Sequence, residues 1–437
     1  MTTLYYDLSE QFLSSGIKLR YYGIARTVME VGHELAGIDA DVRFVIYSPA
    51  HERFFEITPR LGAESPTGVL DPGLPDAATP YRIRNTFPGE NPLRDFLHPA
   101  FRHMVRRINL RRWRHIPAQS VREVDLHGQI LVSLGRPKLL ADYLTALERR
   151  GEKPRLVPML HDMIPLYEFA LSSSPGFTNT FSHDNAVVVE RSERLLANSD
   201  FTRREILKMA ADGYLPAPPP IVTVPLCHEL RPTSEPVVKT GPDEPYLLCV
   251  GIQRGRKNLE CVVEAMLALH EAGRPVPPLV LAGAPRKRND SYLAGPRFAA
   301  IRDRIHHVVN PNEAELRHLY EGALALAMPS RMEGWGLPLG EALWLGTPGL
   351  AAEGNAALHE VGLDLAIYFD AEDPADLAGH IDRLQSDAEA REALRQRIRA
   401  ARPRLRSWRD VARDLIRATT GPDGLGQRDA LSGAAAE

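Results

Sequence analysis

The residues from Arg331 to Ala352 constrain this chain more than any other stretch. An apolar run, Ala323 to Met328, precedes them and reads as a buried strand. A glycine-rich turn follows at Gly334 to Gly336. Pro338 falls where a first helical turn accepts proline, and Glu341 to Leu345 continues as a helix that stops near Gly346. Gly349 to Ala352 reads as the next short strand. Strand, glycine turn, helix and strand make a phosphate-facing unit of an α/β protein, where free N–H groups and the positive end of the helix dipole meet the ligand. Glu333 and Glu341 stand eight positions apart around the turn. That separation does not define a proton-sharing dyad. Carboxylates at a ligand edge also accept hydrogen bonds from paired hydroxyls, which sugars offer. Two solvated surface charges are the other reading.

A chain of 437 residues is long enough for two domains, each with its own core. Hydrophobic residues at 44% and charged residues at 25% are those of a soluble globular protein. The formal charge of −3 exerts no pull toward nucleic acid. Cys227, Cys249 and Cys261 lack paired metal-ligand spacing and are odd in number, so buried free thiols in a reducing compartment are expected. Met1 to Asp7 shows no basic region followed by an apolar core, and no run approaches a membrane span. A cytoplasmic protein is the expectation.

Leu4 to Asp7 reads as an opening strand, followed by a loop from Ser9 to Tyr22 that carries Gly16, Lys18 and Arg20. A helix starts at Gly23, with Ile24, Val28, Val31 and Leu35 at apolar spacing, and Val42 to Tyr47 is the second strand. This is a βαβ unit with its loop at the ligand-bearing strand ends. It has no G-x-G-x-x-G, so a dinucleotide fingerprint is not supported. Residues 58 to 95, rich in Pro, Gly and polar side chains, read as an excursion rather than core.

Phe101 to Arg114 holds six arginines and no acidic residue, with Phe101, Met104, Val105 and Ile108 at helical spacing. Two readings stand: a helix packed on the domain with a solvated basic face, or an interfacial segment for anionic lipid or a lipid-linked diphosphate. Ile130 to Leu134 reads as a strand ending at Gly135-Arg136. Leu156 to Leu160 is another, ending in His161-Asp162, where an α/β sheet presents chemistry, although a lone histidine is most often structural. Leu195 to Thr202 runs from strand into helix, capped at Ser199 or Asp200. Tyr246 to Gly251 restarts a sheet. Arg254, Arg256 and Lys257 then precede a helix that runs to about Ala272. Cations there suit a departing diphosphate; a basic βα loop is the alternative. The domains expected are 1–227, a linker at 228–245, a second domain at 246–402, a helix at 403–419 and a loose tail at 420–437.

The Arg331–Ala352 stretch resembles the donor-site signature of the retaining glycosyltransferases of family 4, the glycosyl transferases group 1. Their motif is E-x7-E inside EGFGLPxxEAxxxGTP, and Trp335 stands where they carry Phe. His161 to Pro165 resembles the family's HDxxP segment, Ser199 to Thr202 its S-x-F/Y-T/S segment, and Arg256-Lys257-Asn258 its RKN. Leu4 to Asp7 and Gly23-Ile24-Ala25-Arg26 look like a bacterial polysaccharide-biosynthesis branch.

The resemblance implies an α/β GT-B fold: two Rossmann-like domains facing a cleft, with a C-terminal helix crossing back to the first. It implies a catalytic set of His161, Asp162, Glu333, Arg256 and Lys257. Gly16 and Gly23 would lie beneath the donor phosphates, with Arg254 as a further cation. The backbone of Gly336, Leu337, Pro338 and Leu339 would hold sugar and phosphate, and Glu341 the ribose. No metal and no cofactor are implied; the nucleoside diphosphate sugar is a substrate. The implied reaction moves a hexose, mannose from GDP-mannose being favoured, to a saccharide or polyprenyl-linked acceptor. It forms an α-linkage in cell-surface polysaccharide biosynthesis. On the interfacial reading of 101–114, drawn from its composition and not from the resemblance, that segment would touch an anionic membrane at its inner face. A non-catalytic nucleotide-sugar binder is the alternative. A dehydrogenase or epimerase would want a glycine fingerprint with an acidic residue about 20 positions on, and none is present.

Overall fold

The computed structural model describes residues 3–13, 23–65, 68–89, 91–167, 175–252, 254–285 and 287–420. The chain divides into two compact units, one of Met1–Pro225 with Trp408–Glu437 and the other of Leu226–Ser407. Strands of the first are β1 (Leu4–Asp7), β2 (Val42–Ser48), β3 (Arg53–Ile57), β4 (Arg60–Leu61), β5 (Leu70–Asp71), β6 (Val121–Val124), β7 (Ile130–Ser133), β8 (Arg155–Leu160), β9 (Leu195–Ala197) and β10 (Ile221–Thr223). An eight-stranded sheet runs β10-β9-β8-β7-β1-β2-β3-β6, and β4 pairs separately with β5. From β10 to β2 every pairing is parallel. β1, β7 and β9 are buried along their whole length, as strands covered on both faces must be, which is why they read as unbroken apolar runs.

The second unit holds β11 (Tyr246–Val250), β12 (Leu279–Gly283), β13 (Ile305–Val309), β14 (Ala323–Met328), β15 (Gly349–Ala352) and β16 (Ile367–Phe369). They form one parallel sheet in the order β13-β12-β11-β14-β15-β16. In order of appearance this is the doubly wound 3-2-1-4-5-6 arrangement, which opens a ligand crevice where the order reverses. Here the reversal lies between β11 and β14. The chain leaves β11 into 251–258 and leaves β14 into 329–336.

Several expectations change. β3 and β6 add an antiparallel edge beyond β2, in the registers Phe44↔Ile57 and Phe54↔Val124. Within 58–95, Val69, Leu70 and Ile83 are buried core residues rather than parts of an excursion. The stretch 228–245 is not a free linker. The His228 N–H donates to Arg406 O at 2.9 Å, and Val238 and Lys239 give their N–H groups to the Glu315 carboxylate at 3.3 and 2.8 Å. Its polar, Pro-bearing composition reads as a spacer, yet its backbone finds partners along the second unit.

The segment 101–114 belongs to a longer helix, Pro92–Trp113, capped by the Asn91 side chain, which accepts the Arg94 N–H at 3.0 Å. Phe101 and Met104, which only the packed-helix reading turns toward the domain, are exposed. Among the described residues no helix is long and apolar enough to cross a membrane.

The last helix is Trp408–Thr420, later than the expected start at 403 because Pro403 sits in a separate turn, Arg402–Arg404. It packs in the first unit against the helix Gly23–Ala36. Trp408 is fully buried, with the Arg26 guanidinium 5.9 Å from its ring centroid, and Arg194 donates to Ala418 O at 2.8 Å. Removing a buried indole forfeits its burial and leaves a cavity. Trp408→Ala is therefore expected to lower first-unit stability by about 3–5 kcal/mol, read as a drop in the urea midpoint. A midpoint within error of wild type would show that this helix does not anchor the unit.

Candidate functional site

At the β11–β14 reversal, three of the expected residues come together. Glu333 is buried, with Oε2 at 3.0 Å from Arg256 Nη1 and Oε1 at 3.5 Å from Lys257 Nζ. Burial alone would raise its pKa, but Lys257, Arg256 and a hydrogen bond from Ser330 hold it below the ordinary carboxylate value. Oε1 has no hydrogen-bond donor among the described residues. A buried, ionised oxygen facing one cation and lacking a donor suits a ligand hydroxyl.

The two loops are tied to each other. Arg256 Nη1 also donates to Met332 O at 2.5 Å, and the Arg331 N–H donates to Arg256 O at 2.9 Å. Arg331 reaches Gly255 O at 2.7 Å while its fork grips the Glu372 carboxylate at 2.5 and 2.9 Å. Gly255–Lys257 is a single tight turn, and Asn258 follows in the left-handed region at φ 54°. Asn tolerates that conformation better than most residues, and Asn258 Nδ2 fixes the corner on Ala371 O at 2.8 Å. Arg254 does not join this cluster. Its Nε donates to Glu260 at 2.8 Å and its guanidinium stacks 4.2 Å from the Tyr292 ring centroid.

The turn at 334–336 runs into the helix Leu337–Trp344, with Pro338 in its first turn. Gly336 has φ 115°, and a Cβ there would lie 2.6 Å from Leu358 Cδ2, so only glycine fits. Of the four positions expected to hold a ligand by backbone, Pro338 has no N–H and Leu339 donates its own to Gly336 O at 3.0 Å. Gly336 and Leu337 remain as the donors of the helix end. Leu339 is core. Glu341 is also buried and accepts the Tyr320 hydroxyl at 2.7 Å, so one of its oxygens is engaged inside the unit.

Trp335 is buried and donates Nε1–H to Cys227 O at 3.1 Å, with the His228 ring edge-on at 6.2 Å. A Cβ on Gly340 would meet His228 Cα at 3.0 Å, so this glycine admits the 227–228 backbone. His228 donates Nε2–H to Val361 O at 3.0 Å and accepts the Arg406 N–H on Nδ1 at 3.1 Å. Burial lowers its pKa to about 4, so the ring stays neutral.

In the first unit, His161 follows β8 and is buried. Its Nε2 donates to Leu134 O at 2.8 Å, which assigns the proton to Nε2 and leaves Nδ1 as the acceptor. Burial lowers its pKa more than the Leu134 carbonyl and Glu10 raise it. Asp162 Oδ1 accepts the Ile164 N–H at 3.1 Å in its own loop. Gly23 opens its helix at φ 62°. Gly16 lies outside the described residues.

Sequence reasoning missed a neighbouring pair. Glu10 is buried after β1, accepting Arg136 Nε at 2.6 Å and the Arg136 N–H at 3.0 Å. Beside it, buried Asp7 accepts the Ser133 hydroxyl at 2.7 Å and the Tyr143 hydroxyl. These groups stand at the carboxyl ends of β1 and β7, where this sheet's order also reverses. Only the Gly135-Arg136 strand ending signalled them. Among the described residues no group of three His, Cys, Asp or Glu could hold a metal ion.

Two cations beside a buried carboxylate, at the crevice of a doubly wound sheet, fit a ligand carrying both phosphate charge and hydroxyl groups, as nucleotide-activated sugars do. Residues 231–401 match the family described as glycosyl transferases group 1. Over 244 residues it is 25% identical to O-antigen chain mannosyltransferase B of Escherichia coli, covering 53% of this chain and 61% of that protein. The chain thus spans less than two thirds of the length of this curated relative. Sucrose-phosphate synthase from Thermosynechococcus elongatus matches with a TM-score of 0.60 at 16% identity, over 96% of this chain and 100% of the other. HepE of Anabaena in complex with UDP and glucose matches at 0.58 and 13%, over 96% and 99%. The fold is that of the GT-B glycosyltransferases.

The pairing of Glu333 has a pH signature. Its folded-state pKa lies below the unfolded value of 4.5. Ionised Glu333 therefore contributes stability that is complete above the unfolded value and is lost as pH falls through the lower folded one. Lys257→Ala removes one of the two cations, so the folded value should rise and the acid-side loss of stability should begin at higher pH. Urea unfolding midpoints followed from neutral to acid pH would show this. An unmoved acid limb would mean that Lys257 does not compensate the buried charge.

Proposed function

We propose that the protein is a retaining glycosyltransferase that moves a hexose from a nucleoside diphosphate sugar to a saccharide or lipid-linked saccharide in cell-surface polysaccharide biosynthesis. The observation that carries this is Glu333: a buried carboxylate held ionised by Arg256 and Lys257, with one oxygen lacking a donor. A bound donor would place its diphosphate against the two cations and a sugar hydroxyl against Glu333 Oε1. The bond from the anomeric carbon to the phosphate oxygen then breaks, and charge builds on the leaving diphosphate. Arg256, Lys257 and the helix end at Gly336 and Leu337 face that charge without rearranging. The acceptor hydroxyl attacks from the same face and passes its proton to the departing phosphate, which retains the configuration and yields an α-linkage.

On this reading no metal is needed, since the two cations do what a divalent ion would do at a diphosphate. Glu341 is assigned to the ribose hydroxyls through the carboxylate it shares with Tyr320. His161, neutral with Nδ1 as acceptor, and Asp162 are assigned to positioning the sugar and the acceptor. The name of the Escherichia coli relative favours a mannosyl donor, and GDP-mannose heads the donors to try. The UDP in the HepE complex keeps UDP-sugars beside it. A polyprenyl-linked acceptor would bring the protein to an anionic membrane, with 101–114 as the segment concerned.

The decisive assay incubates the protein with a panel of GDP-, UDP- and dTDP-sugars and follows release of nucleoside diphosphate. One donor should be consumed, undiminished by EDTA. Glu333→Ala or Lys257→Ala should each lower kcat by about 10²–10³-fold, as loss of a group facing transition-state charge does. Tight donor binding with no turnover on any saccharide or lipid-linked acceptor would instead identify a nucleotide-sugar binder.

A further inference from the structure

The helix Pro92–Trp113 is docked by a mostly polar side, with Val105 buried and Trp113 against Phe12, His51 and Phe55, and leaves five large apolar side chains bare. The docked side starts at Arg94, which stacks 4.2 Å from the Phe87 ring centroid and donates to Gly89 O at 3.0 Å. His98 bonds Arg84 O at 2.6 Å, Arg102 pairs with Glu52, and Arg106 donates to Ala50 O at 2.8 Å. Asn109 is buried and exchanges bonds of 2.8 Å with the Tyr81 backbone, while Arg112 reaches Thr79 O at 2.7 Å. Spacings of three and four residues put these groups on one face.

The opposite face carries Leu93, Phe96, Leu97, Phe101 and Met104, exposed by 68%, 81%, 53%, 53% and 53%. These follow the same three-and-four spacing, so they form one continuous stripe. Five large apolar side chains bare on a single helix are not the scattered exposure of an ordinary surface. Arg107 and Arg111, both exposed, continue the line of the stripe, and Arg114 follows at its end. Asp95, the helix's single acidic residue, is held by Arg94 at 2.8 Å.

We propose that this outward stripe is a docking face for an anionic lipid surface. Leu93, Phe96, Leu97, Phe101 and Met104 enter the acyl boundary, and Arg107, Arg111 and Arg114 lie on the headgroups. An apolar face continued by a cationic row with no carboxylate on it is the composition of a helix lying in a membrane interface. A second copy of the chain would offer no acidic group on this face to meet those arginines. The proposal deepens the membrane part of the reading above and moves the inserting surface from 101–114 to 93–104. It does not depend on sugar transfer.

The test is co-sedimentation of the full chain with extruded vesicles of phosphatidylcholine alone or mixed with phosphatidylglycerol. Wild type should pellet with the mixed vesicles only, less so as salt rises. Phe96→Ser with Phe101→Ser, and separately Arg107→Glu with Arg111→Glu, should each weaken that binding by about tenfold or more. Unfolding midpoints should stay at the wild-type value, since all four side chains are exposed. Unchanged vesicle binding in the Phe96/Phe101 variant overturns the proposal. So does a vesicle-free dimer that the same variant converts to monomer, which would assign the stripe to a second copy. Vesicle binding by a protein that consumes no donor would sink the transfer reading and leave this one standing.

Discussion

The second unit depends on one buried charge. Taking the Glu333 carboxylate out of water is costly, and a single partner rarely offsets that cost. Two cations sit on the adjoining loop instead, and the bonds between the loops hold them there: the Arg331 N–H on Arg256 O, Arg331 on Gly255 O and Arg256 on Met332 O. The first two of these bonds use neither the Arg256 guanidinium nor the Lys257 ammonium, so the loops stay joined while the cations face an incoming diphosphate. The geometry is preorganised by the protein and needs no ligand to assemble it.

That meeting of residues 256 and 333 follows from strand order. β11 and β14 are neighbours although two strands and their helices intervene in sequence, and their carboxyl ends release both loops into the same crevice. Trp335 then locks the turn by reaching Cys227 O, and Gly340 leaves room for that backbone. An indole in place of the family's phenyl ring supplies a donor the smaller ring lacks. The departure from the motif thus stabilises the motif's own position.

Much of this was legible in the sequence. Buried parallel strands are short apolar runs, so most of the sheets could be read, whereas Glu333, Arg256 and Lys257 are singled out by the resemblance to the family's motifs, since spacing alone leaves a surface-charge reading open for each. β3 and β6 could not: Arg53–Ile57 and Val121–Val124 mix charged and apolar residues, and β6, the edge strand, has no buried residue to mark it. Nor could the path of 228–245, whose bonds are made by backbone groups that composition does not reveal. Glu10 escaped because its partner Arg136 is remote in sequence and neither belongs to a spaced motif. Arg254 was read by charge alone, and charge does not say that Tyr292 and Glu260 stand beside it.

The helix at 92–113 shows the limit of periodicity most sharply. A stripe at three-and-four spacing identifies two faces but not which of them points inward. The usual assignment turns the apolar face to the core, because burial of apolar surface is the larger gain. Here the neighbouring loops present carbonyls at Ala50, Thr79, Tyr81 and Arg84, and the Glu52 carboxylate. Such groups need donors, and arginine stems cover apolar surface while their heads donate. The inward face therefore answers acceptors on the rest of the unit, together with buried Val105 and the packing of Trp113 on Phe12, His51 and Phe55, and the apolar stripe at 93–104 is left to face whatever lies outside.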